Sequence, residues 1–126
     1  MFTPFDDILL LRRRQPVFWQ SVTGSLEAQS ELPIDAARRE VFEETGIDRS
    51  HGWVDWNISR FFRIPKEYEH RFAPGTAINQ EHMFSLQLPS RLDVTLNTDE
   101  HSDSQWLDFE SSKKKYGLGL TVPRLI

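Results

Sequence analysis

The chain has 126 residues, of which 38% are hydrophobic and 27% charged, a mixture typical of one soluble globular domain over residues 1–126. Its 15 lysines and arginines against 19 aspartates and glutamates give a net charge of -4, which argues against a nucleic-acid-binding face. The absence of cysteine excludes disulfides, zinc thiolate sites and cysteine nucleophiles.

No segment is expected to enter a membrane. The longest apolar run, Ile8–Leu11, is far too short to span a bilayer. The opening stretch "MFTPFDD" is acidic and has no signal-peptide layout. We therefore expect a cytoplasmic protein with neither a membrane nor a nucleic acid as partner.

Two strands and one helix are predicted in the first part of the chain. The run Ile8–Leu11 is typical of a buried strand. Residues 17–23, "VFWQSVT", are rich in strand-forming side chains. After a polar loop, Pro33 suits the first position of a helix and Gly46 suits its C-terminal cap, which predicts a helix of about three turns between them.

The second part is predicted to contain mainly strands. Residues 53–64 indicate one strand or a bent pair, and residues 66–81 are rich in turn formers. Further strands are predicted at residues 82–88, 92–96 and 104–109. The tail "SSKKKYGLGLTVPRLI" has no pattern that assigns it to an element.

The predicted helix concentrates acids beside its apolar stripe. At 100° per residue, Glu40, Glu43 and Glu44 fall within about 100° of one another, next to Ala37 and Val41. Like charges at this spacing cost a few tenths of a kcal/mol per pair, and acids near a helix C-terminus oppose its dipole. A divalent cation such as Mg²⁺ or Mn²⁺ would reverse both penalties. Helix geometry alone, however, favours a solvated acidic face.

The residues around this helix resemble the Nudix box. Gly24, Glu31 and residues 39–47 supply a glycine, a glutamate, and then Arg-Glu-apolar-x-Glu-Glu-x-Gly-apolar. The last part matches at every defined position, and the seven residues between Glu31 and Arg39 are the family spacing. Six residues separate Gly24 from Glu31 where the family has five, so the loop "SLEAQS" is one residue longer and lacks a glycine often found there. We expect this difference to alter the loop and any metal contact from the Gly24 carbonyl.

Three further segments resemble one subgroup, the dihydroneopterin triphosphate pyrophosphohydrolases, which are also described as acting on dATP. They are "FWQSVTGSLE" at 18–27, "HRFAPG" at 70–75 and "DEHSDSQWLD" at 99–108. The resemblance implies a hydrolase of folate biosynthesis that uses Mg²⁺, with Mn²⁺ as the other candidate. It would convert dihydroneopterin triphosphate, or a dNTP such as dATP, into a monophosphate and pyrophosphate by means of a metal-activated water.

The resemblance also implies which acids act. Glu40 and Glu44 match metal-binding glutamates of the box, and Glu100 matches a metal-binding glutamate outside it. Glu43 is either a further ligand or a partner of Arg39, which lies four residues before it. Either Glu43 or Glu100 could orient or deprotonate the attacking water. For Glu100, in the acidic stretch "NTDEHSD", the alternative is a solvated charge.

A second set of residues is implied to contact the substrate. Thr23 and one arginine of residues 12–14 match such positions, and Arg13 is favoured to take phosphate charge. The stretch that corresponds to a substrate lining is Phe62, Arg63, Ile64 and Pro65. Trp19 or Phe62 could stack on the pterin or purine ring.

These assignments have structural alternatives. Thr23 could be an ordinary strand residue, Arg13 a solvated strand-end charge, and Phe61 and Phe62 core residues. His70 and His101 receive no role, because a lone loop histidine is more often structural or exposed.

The fold that the resemblance implies is α/β, an α/β/α sandwich around a mixed sheet. Only seven residues precede Ile8, so the first strand of the family is expected to be missing, and "KKKYGLGLTVPRLI" is a poor helix. Both ends are therefore expected to be trimmed or diverged, leaving backbone groups unpaired at an edge of the sheet. A fragment, a degraded fold, or a homo-oligomer in which a partner chain completes the sheet would each account for this.

Two alternative functions stay open at this point. One is hydrolysis of another nucleoside diphosphate derivative, and the other is a non-catalytic Nudix-like domain that binds nucleotides. The complete acid set of "REVFEETG" favours an enzyme, whereas the longer loop and the missing strand favour the non-catalytic domain.

Overall fold

The computed structural model describes residues 1–15, 17–24, 26, 30–63 and 78–116, with the backbone alone at residues 60, 62, 63, 78–80 and 116. In chain order the elements are β1 (Asp7–Arg13), β2 (Trp19–Gln20), α1 (Pro33–Thr45), β3 (Trp53–Arg63), β4 (Ile78–Leu86), β5 (His101–Asp108) and α2 (Phe109–Tyr116). Neither of these helices has the length and apolar character needed to cross a bilayer.

The strands form a three-stranded sheet in the order β2-β1-β5 and a two-stranded ribbon of β3 and β4. All strand pairs in both are antiparallel. β1 pairs with β5 along its whole length, from Asp7 opposite Asp108 to Arg13 opposite His101. On its other edge, β2 covers only the last part of β1. Because Arg13 lies opposite His101, the end of the central strand β1 is next to the first residue of β5. The candidate site forms at this end of the sheet.

The first residues connect the two sheets. Phe2 forms an antiparallel bridge with Ile8 and a parallel bridge with Gln87. The Phe2 N–H donates to the Leu86 carbonyl at 3.0 Å, and the Leu88 N–H donates to the Phe2 carbonyl at 2.8 Å. In the described residues no strand precedes β1, and the two bridges of Phe2 lie where one would be. The exposed edge expected as a result is nevertheless not found at this end of β1, because the backbone of residues 1–3 covers it.

The alternation of side chains along β1 places a helix on each face of the sheet. Leu9 and Leu11 are buried with Val41 of α1, whereas Ile8 and Leu10 form a second buried cluster on the other face. α2 packs across all three strands of this sheet. Because α1 and α2 cover opposite faces, the predicted α/β/α arrangement is confirmed.

The prediction that residues 113–126 make a poor helix is wrong for residues 113–116, which belong to α2. Asp108 precedes α2, and its carboxylate accepts hydrogen bonds from the Ser111 N–H at 2.8 Å and the Ser111 hydroxyl at 2.9 Å. This is a helix N-cap contact, and lysines 113–115 lie at the end of the helix where positive charge is favourable. The glycines and proline that argued against a helix all come later, outside the described residues.

Several strand predictions need adjustment. The strand predicted at residues 17–23 shrinks to Trp19–Gln20, and the last strand begins at His101 rather than at residue 104. Residues 78–81, predicted as turns, belong to β4. β3 is a single bent strand, since its register shifts between Asp55 and Ser59 around Asn57, whose φ is 52°.

Residues 92–96 form no strand, although their side chains alternate as in one. Leu92, Val94 and Leu96 are partly buried against the core, while Asp93 and Thr95 are exposed. The Thr95 N–H donates to the Thr45 carbonyl at the end of α1, at 2.9 Å. The alternation of apolar and polar side chains in this segment is therefore explained by packing against the core and against the C-terminal end of α1, and not by pairing in a sheet.

Candidate active site

Helix α1 presents the acids, and the sequence determines both of its ends. Pro33 occupies the first turn, where its missing N–H costs nothing. Gly46 ends the helix with φ 73°, a left-handed conformation that glycine adopts readily, and its N–H donates to the Phe42 carbonyl at 2.8 Å. Glu44 and Thr45 of the last turn are buried. The helix therefore carries its C-terminal acids into the body of the protein.

Arg39 holds the carboxylates around it in place. Its Nε donates to Glu31 Oε2 at 3.0 Å, and its Nη2 donates to Glu31 Oε1 at 3.1 Å, which is a two-point contact. Its Nη1 donates to Glu40 Oε1 at 2.8 Å and to Glu43 Oε2 at 3.4 Å. The pKa of Arg39 is raised, mainly by the hydrogen bonds to Glu31. The predicted contact with Glu43 is therefore present, but Glu31 and Glu40 are bound more closely.

The loop of unusual length still brings Gly24 against Glu40. A Cβ placed on Gly24 would collide with Cγ and Cδ of Glu40. With Glu40 in this position, only a residue without a side chain fits the close approach. The extra loop residue has therefore not moved the glycine of the box away from the helix.

Glu44 is the most strongly perturbed acid of the site. It is 4% exposed, and its Oε2 has no hydrogen-bond partner within the part of the chain that the structure describes. Burial, together with the charges of Glu40 and Glu100, raises the pKa of Glu44 to about 9, and the charge of Arg13 opposes this shift. Burial also raises the pKa of Glu40, against the hydrogen bond from Arg39. The carboxylates therefore cannot all ionise at low cost without a compensating positive charge.

Glu100 and His101 meet Glu44 at the start of β5. One carboxylate oxygen each of Glu44 and Glu100 and one ring nitrogen of His101 lie within 4.8 Å of one another. The backbone N–H groups of Glu100 and His101 donate to the Asn97 carbonyl at 3.2 and 3.0 Å, and the Glu100 carbonyl accepts from the Arg14 N–H at 3.0 Å. A tight turn and the end of β1 thus fix the backbone that carries both side chains.

Arg13 brings positive charge to this group from the end of β1. Burial is the main cause that lowers the pKa of His101; the charge of Glu100 raises this pKa, and the charge of Arg13 lowers it. The Arg13 guanidinium lies over the ring of Phe18, 5.6 Å from its centroid. Phe18 is 40% exposed. Sequence reasoning did not assign this aromatic residue, although the alternation of "VFWQ" places its side chain on the face opposite that of Trp19.

The structure does not bring every predicted residue to the site. Trp19 packs against Ile8 and Leu10 on the α2 face, with Lys115 Nζ 4.5 Å from its ring centroid, so the suggestion that it stacks on the substrate is wrong. Thr23 is half-buried, directly before Gly24. Phe61 is 70% exposed and is not a core residue. The side chains of Phe62 and Arg63, and the whole of Ile64, Pro65 and His70, lie outside what the structure describes.

The residues present fit a divalent cation. Two carboxylates and an imidazole converge, and two of these side chains are buried with polar atoms that lack partners among the described residues. Carboxylate oxygen and imidazole nitrogen are both common donors to divalent metals. A cation bound here would stabilise the ionised form of Glu44 and so offset the causes that raise its pKa.

Replacing Arg39 by Lys should lower both stability and turnover. Lysine keeps the positive charge but has no planar guanidinium group. It therefore cannot donate two hydrogen bonds to Glu31 and a third to Glu40 at the same time. We expect a loss of about 1 to 2 kcal/mol in the free energy of unfolding and a fall in turnover on the order of 10-fold to 100-fold. Urea titration and steady-state kinetics would measure the two effects.

The neighbouring Arg38→Lys is the matched control, because Arg38 is exposed on the same helix. Equal behaviour of the two variants would show that the contacts of Arg39 do not position Glu40.

Comparisons with known proteins agree with this geometry. A protein of Escherichia coli K12 named dihydroneopterin triphosphate diphosphatase is 40% identical over 104 residues, which are 80% of this chain and 67% of that protein. The solved structure of the E. coli dihydroneopterin triphosphate pyrophosphohydrolase superposes with a TM-score of 0.75 at 37% identity, covering 89% of this chain and 77% of that one.

A Myxococcus xanthus protein named octanoyltransferase is 36% identical over an alignment of 130 residues, covering 96% of this chain but only 32% of that protein. Since most of that protein lies outside the match, its name carries no argument about this chain. The sequence model of the NUDIX domain matches residues 1–120. The acids of α1, the arginine that holds them and the glycine packed against Glu40 thus lie within a match that spans nearly the whole sequence, and the chain belongs to the Nudix family.

Proposed function

We propose that this chain is a metal-dependent pyrophosphohydrolase. Its substrate is dihydroneopterin triphosphate, or a dNTP such as dATP, and its products are the monophosphate and pyrophosphate. The observation that carries the proposal is the convergence of Glu44 and Glu100 from distant parts of the chain, beside Glu40. The substrate class is supported by the names of the E. coli relatives. A cytoplasmic location and a role in folate biosynthesis belong to the same proposal.

A triphosphate brings several negative charges to a pocket that is itself acidic. A bound Mg²⁺ or Mn²⁺ would neutralise phosphate oxygens and activate a water for attack on phosphorus. Glu40, Glu44 and Glu100 would hold the ion. Arg39 keeps Glu40 in place through the 2.8 Å hydrogen bond, so that the ligand set is fixed before the substrate arrives.

Two other side chains are proposed to act on the substrate directly. Arg13 would bind phosphate oxygens, and Phe18 beneath its guanidinium offers an exposed aromatic surface. For the proton of the attacking water, Glu43 is the proposed acceptor, because its side chain is 47% exposed and contacts Arg39 only at 3.4 Å. Glu100, in contrast, faces Glu44 and His101. A base needs a lone pair free to accept the proton, and Glu43 has one.

The test is a product assay on the purified protein. Dihydroneopterin triphosphate and a panel of dNTPs are each supplied with Mg²⁺, with Mn²⁺, and with EDTA, and pyrophosphate is measured. We expect pyrophosphate with either metal and none with EDTA. Glu43→Gln should lower kcat more than KM, whereas Glu110→Gln, an exposed acid on α2, should behave as the unsubstituted protein.

Two results would contradict the proposal. Turnover that is insensitive to EDTA would exclude a metal-dependent reaction at these acids. A folded protein that binds nucleotides but hydrolyses none of them would support the non-catalytic alternative.

A further inference from the structure

His101 is a buried histidine that the proposed reaction does not use. It is 1% exposed, and neither Nδ1 nor Nε2 has a hydrogen-bond partner in the described ranges. Buried polar side chains are nearly always hydrogen-bonded, and an imidazole without partners is costly to desolvate. Its position therefore needs a ligand or a partner beyond the residues that the structure describes.

A ring nitrogen of His101 lies close to the two acids. It is within 4.8 Å of a carboxylate oxygen of Glu44 and of Glu100, and these two oxygens lie within the same limit of each other. Ligand atoms at about 2.1 Å from one ion are roughly 3 to 4 Å apart, so small side-chain rotations bring all three onto a common centre. The backbone does not need to move, because the His101 N–H already donates to the Asn97 carbonyl at 3.0 Å.

We propose that His101 is a further ligand of the metal ion, in addition to Glu40, Glu44 and Glu100, and that this mixed nitrogen and oxygen set selects Mn²⁺ over Mg²⁺. The inference rests on the metal site of the proposed function and adds to it a ligand and a preference among ions. Mg²⁺ favours sites built from oxygen donors, whereas imidazole favours transition metals. One nitrogen donor is therefore enough to make the site bind Mn²⁺ more tightly than Mg²⁺.

The decisive measurement is the electron spin echo of the protein loaded with Mn²⁺. A directly bound imidazole gives a ¹⁴N modulation, and biosynthetic labelling with ¹⁵N-histidine should replace it by the ¹⁵N pattern. This requires no substitution and therefore no assumption about folding. We expect the ¹⁴N coupling in the unsubstituted protein and its loss in His101→Gln.

Metal titrations supply the second readout. Mn²⁺ affinity should fall tenfold or more in His101→Gln, on the order expected when metal coordination is disturbed, while Mg²⁺ affinity changes by less than about threefold. His51→Gln, at an exposed histidine between α1 and β3, is the matched control and should change neither affinity.

The outcomes separate this inference from the proposed function. Mn²⁺ that binds without nitrogen coupling, or a variant that keeps its preference for Mn²⁺, would overturn the role of His101 even if pyrophosphate release is normal. Nitrogen coupling in a protein that hydrolyses none of the substrates would support the ligand and refute the hydrolase.

Discussion

Glu44→Gln is expected to stabilise the metal-free protein and, at the same time, to abolish its turnover. Burial, together with the charges of Glu40 and Glu100, raises the pKa of Glu44 from 4.5 to about 9. A carboxyl group with a raised pKa in the folded state contributes its full stability below the unfolded value, and that contribution is lost as pH rises from about 4.5 to about 9. Glutamine is neutral at every pH in this window and escapes the loss. At 1.36 kcal/mol per pH unit above the unfolded pKa, Glu44→Gln should therefore gain up to about 3 kcal/mol in the free energy of unfolding at pH 7, relative to the unsubstituted protein.

Thermal unfolding in EDTA at pH 5 and pH 8 measures this effect. The melting temperature of Glu44→Gln should exceed that of the unsubstituted protein by roughly 15 °C at pH 8 and by much less at pH 5. Added metal should reverse the order, since it binds and stabilises only the protein with the intact carboxylate. Turnover should fall by about 10³-fold, as expected for the loss of several kcal/mol of metal-derived stabilisation.

Glu110→Gln is the control for the loss of one negative charge, because its side chain is exposed. A Glu44→Gln protein that is no more stable than the unsubstituted one at pH 8 in EDTA would mean that Glu44 is not held protonated by burial.

Gly24→Ala should cost activity rather than stability. The added Cβ would meet the Cγ and Cδ of Glu40, a flexible side chain that can move aside without disturbing the backbone. Moving Glu40 disturbs both the metal site and the hydrogen bond to Arg39. Displacement of a catalytic group by about 1 Å can cost 10²-fold in rate, so we expect a fall in kcat of about that size. Kinetics and thermal unfolding on the same preparation would check both parts.

Gly52→Ala is the matched comparison, because it should lower stability and leave activity unchanged. Gly52 has φ 91°, and a Cβ there would collide with the backbone carbonyl oxygen of Gln87, so the fold itself should be destabilised. Its activity per folded molecule should be unchanged. Normal kcat in Gly24→Ala would show that the long loop does not constrain Glu40.

The helix and its acids could be predicted from the sequence because local rules determine them. Pro33, Gly46 and the apolar stripe fix the ends and the buried face of α1 within 13 residues. The helix that the resemblance implies after "WLD" was judged poor because of the glycines and the proline that follow Tyr116, whereas Asp108 and Ser111, which cap α2, lie before them. The strand predicted at residues 92–96 failed for the opposite reason, since its alternation is real but no neighbouring strand pairs with it.

The site was predictable only in part, because its two halves come from distant segments. Nothing local places Glu100 beside Glu44, and that pairing was expected solely from the resemblance to the Nudix family. Phe18 and His101 were left without a role for the same reason. The position of each is decided by a neighbour across the sheet, Arg13, whose register with β5 is set by long-range pairing.

The hydrogen bond between Thr95 and Thr45 has a consequence for how the site captures an ion. Thr45 follows Glu44 directly, and the segment that begins at Thr95 runs on to Glu100, whose carbonyl is bonded in turn to Arg14. The main-chain segments that carry Glu44 and Glu100 are thus held together when the protein folds. The conformational entropy lost in bringing Glu44 and Glu100 together is therefore lost on folding and not on ion binding. The rate of ion binding should accordingly be limited by water exchange on the ion and not by closure of a loop.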